Sequence, residues 1–218
     1  MTHVHFIGIG GSGLSAIARL LLESGYTVSG SDRALTPFAE EVRKAGASVY
    51  VGHHARNVAG ADWVVRSSAI PDDNPEVQAA LQKNIPVYKR ADFLGELMAE
   101  KTGIAIAGAH GKTTTTAMTA WVLTELKRDP SFIIGSVAKN LGVNARAGTG
   151  NLFVIEADEY DNMFLGLKPQ IEVITNLEHD HPDFFPTFEA MTQSFETFVN
   201  LLPADGTLIV CMEDAGAV

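Results

Sequence analysis

A repeated rhythm constrains this chain more than any other feature: short apolar runs alternate with amphipathic segments, and the alternation starts twice. "HVHFIGI" (3–9) has the make-up of a strand. "GLSAIARLLLES" (13–24) places Leu14, Ile17, Ala18, Leu21 and Leu22 on one helical face. "YTVSGSD" (26–32) is the next strand, and "PFAEEVRKAG" (37–46) is a helix with Pro37 early and Gly46 past its end. "ASVYVG", "ADWVVRSSA" and "IPVYKR" continue the series, with a helix near 75–84 between the last two. Strands alternating with helices predict parallel sheets covered on both faces.

The series restarts after 91–103 with "IAIAG" (104–108), a very apolar strand, followed by a helix over 113–127. "PSFIIG", "NLFVIEAD", "IEVITN" and "GTLIVCM" are further strands, and 187–202 has helical spacing. The expected boundary lies near 100–103, giving domains 1–101 and 102–218. The chain stops just after a strand with no closing helix, so the second domain is expected to be incomplete at its C-terminal end.

The first strand ends in Gly8, Gly10, Gly11, Ser12 and Gly13, a G-x-G-x-x-G pattern that opens a helix. Glycines let the backbone turn tightly against a diphosphate, and the helix start offers free N–H groups. Asp32 ends the second strand at the distance where an acid can bind a ribose hydroxyl. NAD, FAD and UDP-sugars all satisfy this pattern. "SSAI", with Ser67 and Ser68, follows another strand end and can reach the same ligand.

"GAHGKT" spans Gly108, Ala109, His110, Gly111, Lys112 and Thr113. It is shorter than the usual G-x-x-x-x-G-K-[ST] phosphate loop, since Ile106 stands where the first glycine would be. It can still cradle phosphate: the glycines turn amides inward, Lys112 reaches the β- and γ-phosphates, and Thr113 offers a hydroxyl to Mg²⁺. Thr114 continues the first turn of the helix. Two strands end in acids, "VIEADEYD" (154–161) and "VITNLEHDH" (173–181). Strand ends in an open parallel sheet share one edge, so both clusters face the phosphate loop. Glu156, nearest the apolar strand, is the favoured Mg²⁺ carboxylate, and Glu159 and Asp161 read better as solvated loop acids. "HDHPD" (179–183) also fits H-x-H-x-D, a binuclear hydrolase spacing, but no further histidine follows His181.

Composition narrows the classes. A formal charge of −10 argues against a general nucleic-acid surface. Cys211 stands alone, which excludes an internal disulfide framework and fits a reducing compartment; it reads as a small apolar residue of the last strand. No basic and then apolar leader opens the chain, and no apolar run approaches the ~18 residues of a membrane span. A cytoplasmic protein without membrane insertion is expected.

Taken together, "HFIGIGGSGLSAIA", "GYTVSGSD", "VVRSSAI", "GIAIAGAHGKTTTTAM" and "TNLEHDH" resemble segments of the Mur ligases, in that family's order, over essentially the whole chain. The resemblance is greatest to the alanine-adding branch. It implies a Rossmann-like UDP-sugar-binding domain followed by a P-loop ATPase-type α/β domain. It also implies a cytoplasmic ATP-dependent ligase of bacterial peptidoglycan synthesis, joining the carboxylate of UDP-N-acetylmuramate to L-alanine through an acyl phosphate. ATP and Mg²⁺ are the implied cofactors. Lys112, Glu156 and His181 take the catalytic positions, Thr113, Glu156 and His181 the metal positions, and 108–114 the ATP-binding positions. Gly8, Gly10, Gly11, Ser12, Gly13, Asp32, Ser67 and Ser68 would hold the UDP-sugar. Asn176, Glu178 and Asp180 match supporting groups, Arg146 resembles a position near the sugar, and His179 matches nothing. Ala109 replaces the family's usual threonine. Tyr160 stands where the alanine-adding branch more often has serine, which resembles the murein-peptide branch instead. A fragment of this length is expected to be inactive alone.

Overall fold

A computed structural model describes all 218 residues. Contacts divide the chain into two compact units, 1–93 with 145–147, and 94–144 with 148–218. No helix is long and apolar enough to cross a membrane.

The first unit is built on five parallel strands: β1 (His3–Ile7), β2 (Thr27–Asp32), β3 (Ser48–Val51), β4 (Trp63–Arg66) and β5 (Val87–Lys89). They lie in the order β3-β2-β1-β4-β5. The first strand is thus central, because the crossovers through α1 (Ser12–Glu23) and α2 (Pro37–Lys44) step one way and the later one through α3 (Pro75–Gln82) steps the other. Alternation along β1 sorts its side chains by face. Ile7 joins Val58, Val64, Ile70 and Val77 in one buried cluster. On the other face Phe6 meets Phe93 edge-on, and Phe93 in turn touches Trp63 and Tyr88.

His5 points with Ile7, and this polar side chain in a core is explained by Glu76 of α3. Both are fully buried, with His5 Nε2 3.6 Å from Glu76 Oε2. Ser31 Oγ and Asn57 Nδ2 donate to the same carboxylate, and so does the His54 N–H at 3.2 Å. Burial raises the Glu76 pKa, but the imidazole of His5 beside it and the hydrogen bonds from Ser31 and Asn57 outweigh that and bring it to about 2.

The helix α4 (Arg90–Ala99) carries the chain from the first unit into the second, where β6 (Thr102–Ala107) is followed by α5 (Lys112–Glu125) and β7 (Ser131–Ile133). The two-residue strand β8 (Ala145–Arg146), in the 145–147 segment counted with the first unit, comes next in the chain, then β9 (Leu152–Glu156), β10 (Ile171–Ile174), α6 (Phe188–Val199) and β11 (Thr207–Val210). The parallel order β11-β10-β6-β9-β7 again puts the first strand of the unit between later ones. Ile104, Ile106, Phe132 and Val154 pack with Ala120 of α5 on one face. Phe164 is buried between Phe195 and Phe198 of α6.

Each strand expected from the sequence is present. The helix α4 was not foreseen, and Cys211, read as part of the last strand, lies just beyond it and is exposed.

Candidate functional site

Both glycine loops leave the central strand of their sheet, where neighbouring crossovers diverge and a crevice opens beyond the strand ends. In the first unit the chain leaves β1 through Gly8, whose φ of +92° is open only to glycine without strain. The Gly8 and Ile9 amides donate to Ser31 O, which ties the loop to the end of β2. Gly10 is closed in: a Cβ there would sit 2.7 Å from Thr36 Oγ1 and 2.8 Å from Asp32 Oδ2. Asp32 itself accepts from the Gly10 N–H at 2.8 Å and from the Arg33 N–H at 2.7 Å. Its carboxylate therefore braces the glycine loop. Gly11 caps α1 with no side-chain acceptor, and the first turn carries no acid, so the amides of Ser12 and Gly13 and the dipole face outward unopposed. Ser67 follows β4 beside Gly8, and Ser68 is exposed next to it.

In the second unit Gly108 turns out of β6 at φ +134° and Gly111 caps α5 at φ +83°. Again no side chain caps the helix and no acid lies in its first turn. Asn176, at the end of β10, holds the loop: its carbonyl accepts from Ala109 N–H at 3.1 Å and its Oδ1 from His110 N–H at 2.8 Å. Thr175 Oγ1 donates to His110 O at 2.6 Å. A cleft of about 490 Å³, lined in part by Thr113, Thr114 and Trp121, leaves this end of α5 open to a ligand.

Three adjacent strand ends supply the remaining groups. Glu156, the last residue of β9, accepts from Thr113 Oγ1 at 2.8 Å through Oε1 and from the Gly135 N–H at 2.6 Å through Oε2. Lys112 Nζ donates to Glu159 Oε1 at 2.8 Å and to the carbonyls of Gly108 and Ala109 at 2.7 and 3.2 Å. His181 Nε2 lies 3.7 Å from the same Glu159 Oε1. The positions expected around a phosphate, Lys112, Thr113, Glu156 and His181, are thus brought together.

Glu159, read from the sequence as a solvated loop acid, is instead fully buried at the centre of this group. The residues after it make the difference. Asp161 and Asn162 take left-handed backbone conformations at φ +55° and +53°, turning the chain so that Phe164 enters the core. Burial pushes the Glu159 carboxyl upward, against the opposing pull of Lys112. His181 is also left-handed, at φ +52°, and strain of this kind concentrates at functional sites. His179 Nε2 donates to Phe185 O at 2.8 Å and serves the loop. Glu178 is exposed, 3.9 Å from the exposed His110. The set of a hydroxyl, carboxylates and one imidazole, with a buried carboxylate oxygen left without a partner, suits a hard divalent cation.

Comparison with known proteins follows the same division. Residues 3–102 match the model of the Mur ligase family, catalytic domain, and 106–217 match that of the Mur ligase middle domain. The chain is 51% identical over 215 residues to UDP-N-acetylmuramate–L-alanine ligase of Renibacterium salmoninarum, covering 99% of this chain and 46% of that protein. It is 47% identical over 213 residues to the enzyme of the same name from Nitratidesulfovibrio vulgaris, covering 98% and 47%. The chain thus spans about half the length of these curated relatives. Among solved structures it superposes on UDP-N-acetylmuramate:L-alanyl-gamma-D-glutamyl-meso-diaminopimelate ligase from Neisseria meningitides with a TM-score of 0.89 at 33% identity, covering 99% of this chain and 73% of that one. The UDP-N-acetylmuramate–alanine ligase from Thermotoga maritima gives 0.85 at 31%, covering 99% and 50%.

Proposed function

The chain belongs to the Mur ligase family, and on that premise we propose that it supplies the sugar-nucleotide-binding and ATP-binding parts of an ATP-dependent ligase. The reaction joins the carboxylate of UDP-N-acetylmuramate to L-alanine. Residues 1–101 hold the UDP-sugar and 102–218 carry ATP-binding residues. The observation that supports this most is the meeting of Lys112, Thr113, Glu156, Glu159 and His181 at the ends of three neighbouring parallel strands.

A free carboxylate is a poor acyl donor. Its attack on the γ-phosphate of ATP creates an acyl phosphate, with ADP leaving, and the amine then attacks the acyl carbon and expels phosphate. The first step brings an anion onto an anion and needs concentrated positive charge. Lys112 provides one full charge, and the uncapped start of α5 provides amides for the phosphate oxygens. Mg²⁺ held by Thr113 and Glu156, and a second Mg²⁺ with His181 as a ligand, would supply the rest. Asn176 keeps the loop in the shape that presents these groups. In the first unit the loop of Gly8, Gly10, Gly11, Ser12 and Gly13 grips the diphosphate, with Ser67 and Ser68 alongside. Asp32 acts by fixing that loop.

A second amine deserves a test because Tyr160 touches the site: its ring meets His181 edge-on at 5.0 Å and its hydroxyl donates to Asp183 at 3.0 Å. The similar Neisseria enzyme is named for a peptide substrate, which makes a peptide the alternative amine. A polypeptide of the relatives' full length carrying these residues is expected to release ADP and phosphate only with UDP-N-acetylmuramate and L-alanine both present. Turnover with a peptide but not with L-alanine would assign it to the second reading, and ADP release independent of the sugar nucleotide would contradict both.

A further inference from the structure

We propose that Glu159 is a shared carboxylate: it holds Lys112 while the phosphate loop is empty and, with Asp180 and His181, becomes a ligand of a divalent cation once ATP phosphates draw the lysine away. The proposal rests on the reading of 108–113 as the ATP loop and adds to it an exchange of partners at Glu159.

Three observations carry it. First, Lys112 is turned back on its own loop. Its ammonium is satisfied by two loop carbonyls and Glu159, a posture that phosphate oxygens would replace. Second, Glu159 is only half used. Its Oε1 receives Lys112, while Oε2 is buried without any hydrogen-bond partner. A buried carboxylate oxygen left unpaired is costly and calls for a partner that arrives later. Third, Glu159, Asp180 and His181 each offer a ligand atom within 4.8 Å of the other two, a spread that fits donors around one cation at about 2.1–2.4 Å. His181 is held ready for this. Its N–H donates to Asp180 Oδ1 at 2.7 Å, its carbonyl accepts from the Phe184 and Phe185 amides, and the Tyr160 ring flanks it.

Lysine and cation then compete for one carboxylate, and ATP relieves the competition. The consequence is a linkage: cation and ATP strengthen each other, while Lys112 opposes the cation when ATP is absent.

The test needs no turnover. Mn²⁺ is titrated into the nucleotide-free protein, with free Mn²⁺ read by electron paramagnetic resonance. Wild type is expected to bind weakly. Lys112→Met is expected to bind one Mn²⁺ at least tenfold more tightly, and adding Glu159→Gln or His181→Ala to that variant is expected to return the weak value. Unchanged or weaker binding in Lys112→Met, or tight binding that survives Glu159→Gln, overturns the proposal. If Lys112→Met does not fold, wild type and Glu159→Gln are titrated with and without a non-hydrolysable ATP analogue. The analogue should tighten Mn²⁺ binding by a larger factor in wild type, and equal factors overturn the proposal. Failure of the ATP reading itself would appear separately, as absence of analogue binding to the wild-type protein.

Discussion

Gly10 shows how much of this account rests on single atoms. A methyl group at that position would displace Asp32 from the Gly10 N–H and crowd Thr36, whose hydroxyl donates to Gly10 O. Gly10→Ala is therefore expected to cost about 1–3 kcal/mol in urea unfolding, and to weaken UDP-N-acetylmuramate binding at least tenfold in calorimetry. Unaltered affinity would mean that the loop tolerates the shift and does not grip the diphosphate. At this scale the sequence was legible where a residue type has one use. Glycines at a strand-to-helix turn and a lysine at a helix start fall into that class. It was illegible where burial decides. Nothing in "EADEYD" separates Glu159 from Asp158 or Asp161, because its burial follows from left-handed turns at Asp161 and Asn162 that other residue types also populate.

At the level of elements, two buried carboxylates predict opposite pH behaviour. Glu76 ties α3 to β1, β2 and the loop after β3. Its folded pKa of about 2 lies below the usual 4.5, so the unfolded chain takes up the proton first. The stability it contributes is complete above pH 4.5 and is lost as pH falls toward 2, roughly 3 kcal/mol in all. Glu76→Gln should remove that acid-side slope from urea unfolding measured between pH 5 and 2.5; a parallel slope would contradict the role. Glu172 of β10 is the reverse. It is fully buried, neither oxygen has a partner, and burial raises its pKa to about 8. Between pH 4.5 and 8 the unfolded chain releases a proton the folded one keeps, so stability falls as pH rises. Glu172→Met should gain about 2 kcal/mol at pH 7.5 and flatten the decline; a loss at pH 7.5 would mean that the carboxyl has a partner in solution. Strand and helix positions were readable at this scale from period and punctuation. The two-residue strand β8 is too short to show a period, and α4 follows β5 with no intervening turn and carries Gly95 in its interior, where a Cβ would collide with the carbonyl of Gly166. A glycine needed for close backbone approach looks, in sequence, like a break.

For the whole molecule, the same device appears in both units: a central strand, a glycine loop and an uncapped helix start. The order of the strands was not readable, because it depends on which way each crossover turns. The duplication predicts separable ligand footprints. In hydrogen exchange, UDP-N-acetylmuramate should slow amides around 8–13 and leave 108–114 unchanged, while ATP with Mg²⁺ should do the converse. Protection of 8–13 by ATP alone would reassign the first loop.

ATP binding by the short loop before α5 is proposed to run through Lys112. Calorimetric titration of ATP with Mg²⁺ into wild type, Lys112→Ala and Asp32→Asn tests it most directly. One site per chain is expected, with affinity lowered about 10- to 100-fold in Lys112→Ala and unchanged in Asp32→Asn. Undiminished binding in Lys112→Ala, or an equal loss in Asp32→Asn, would contradict it.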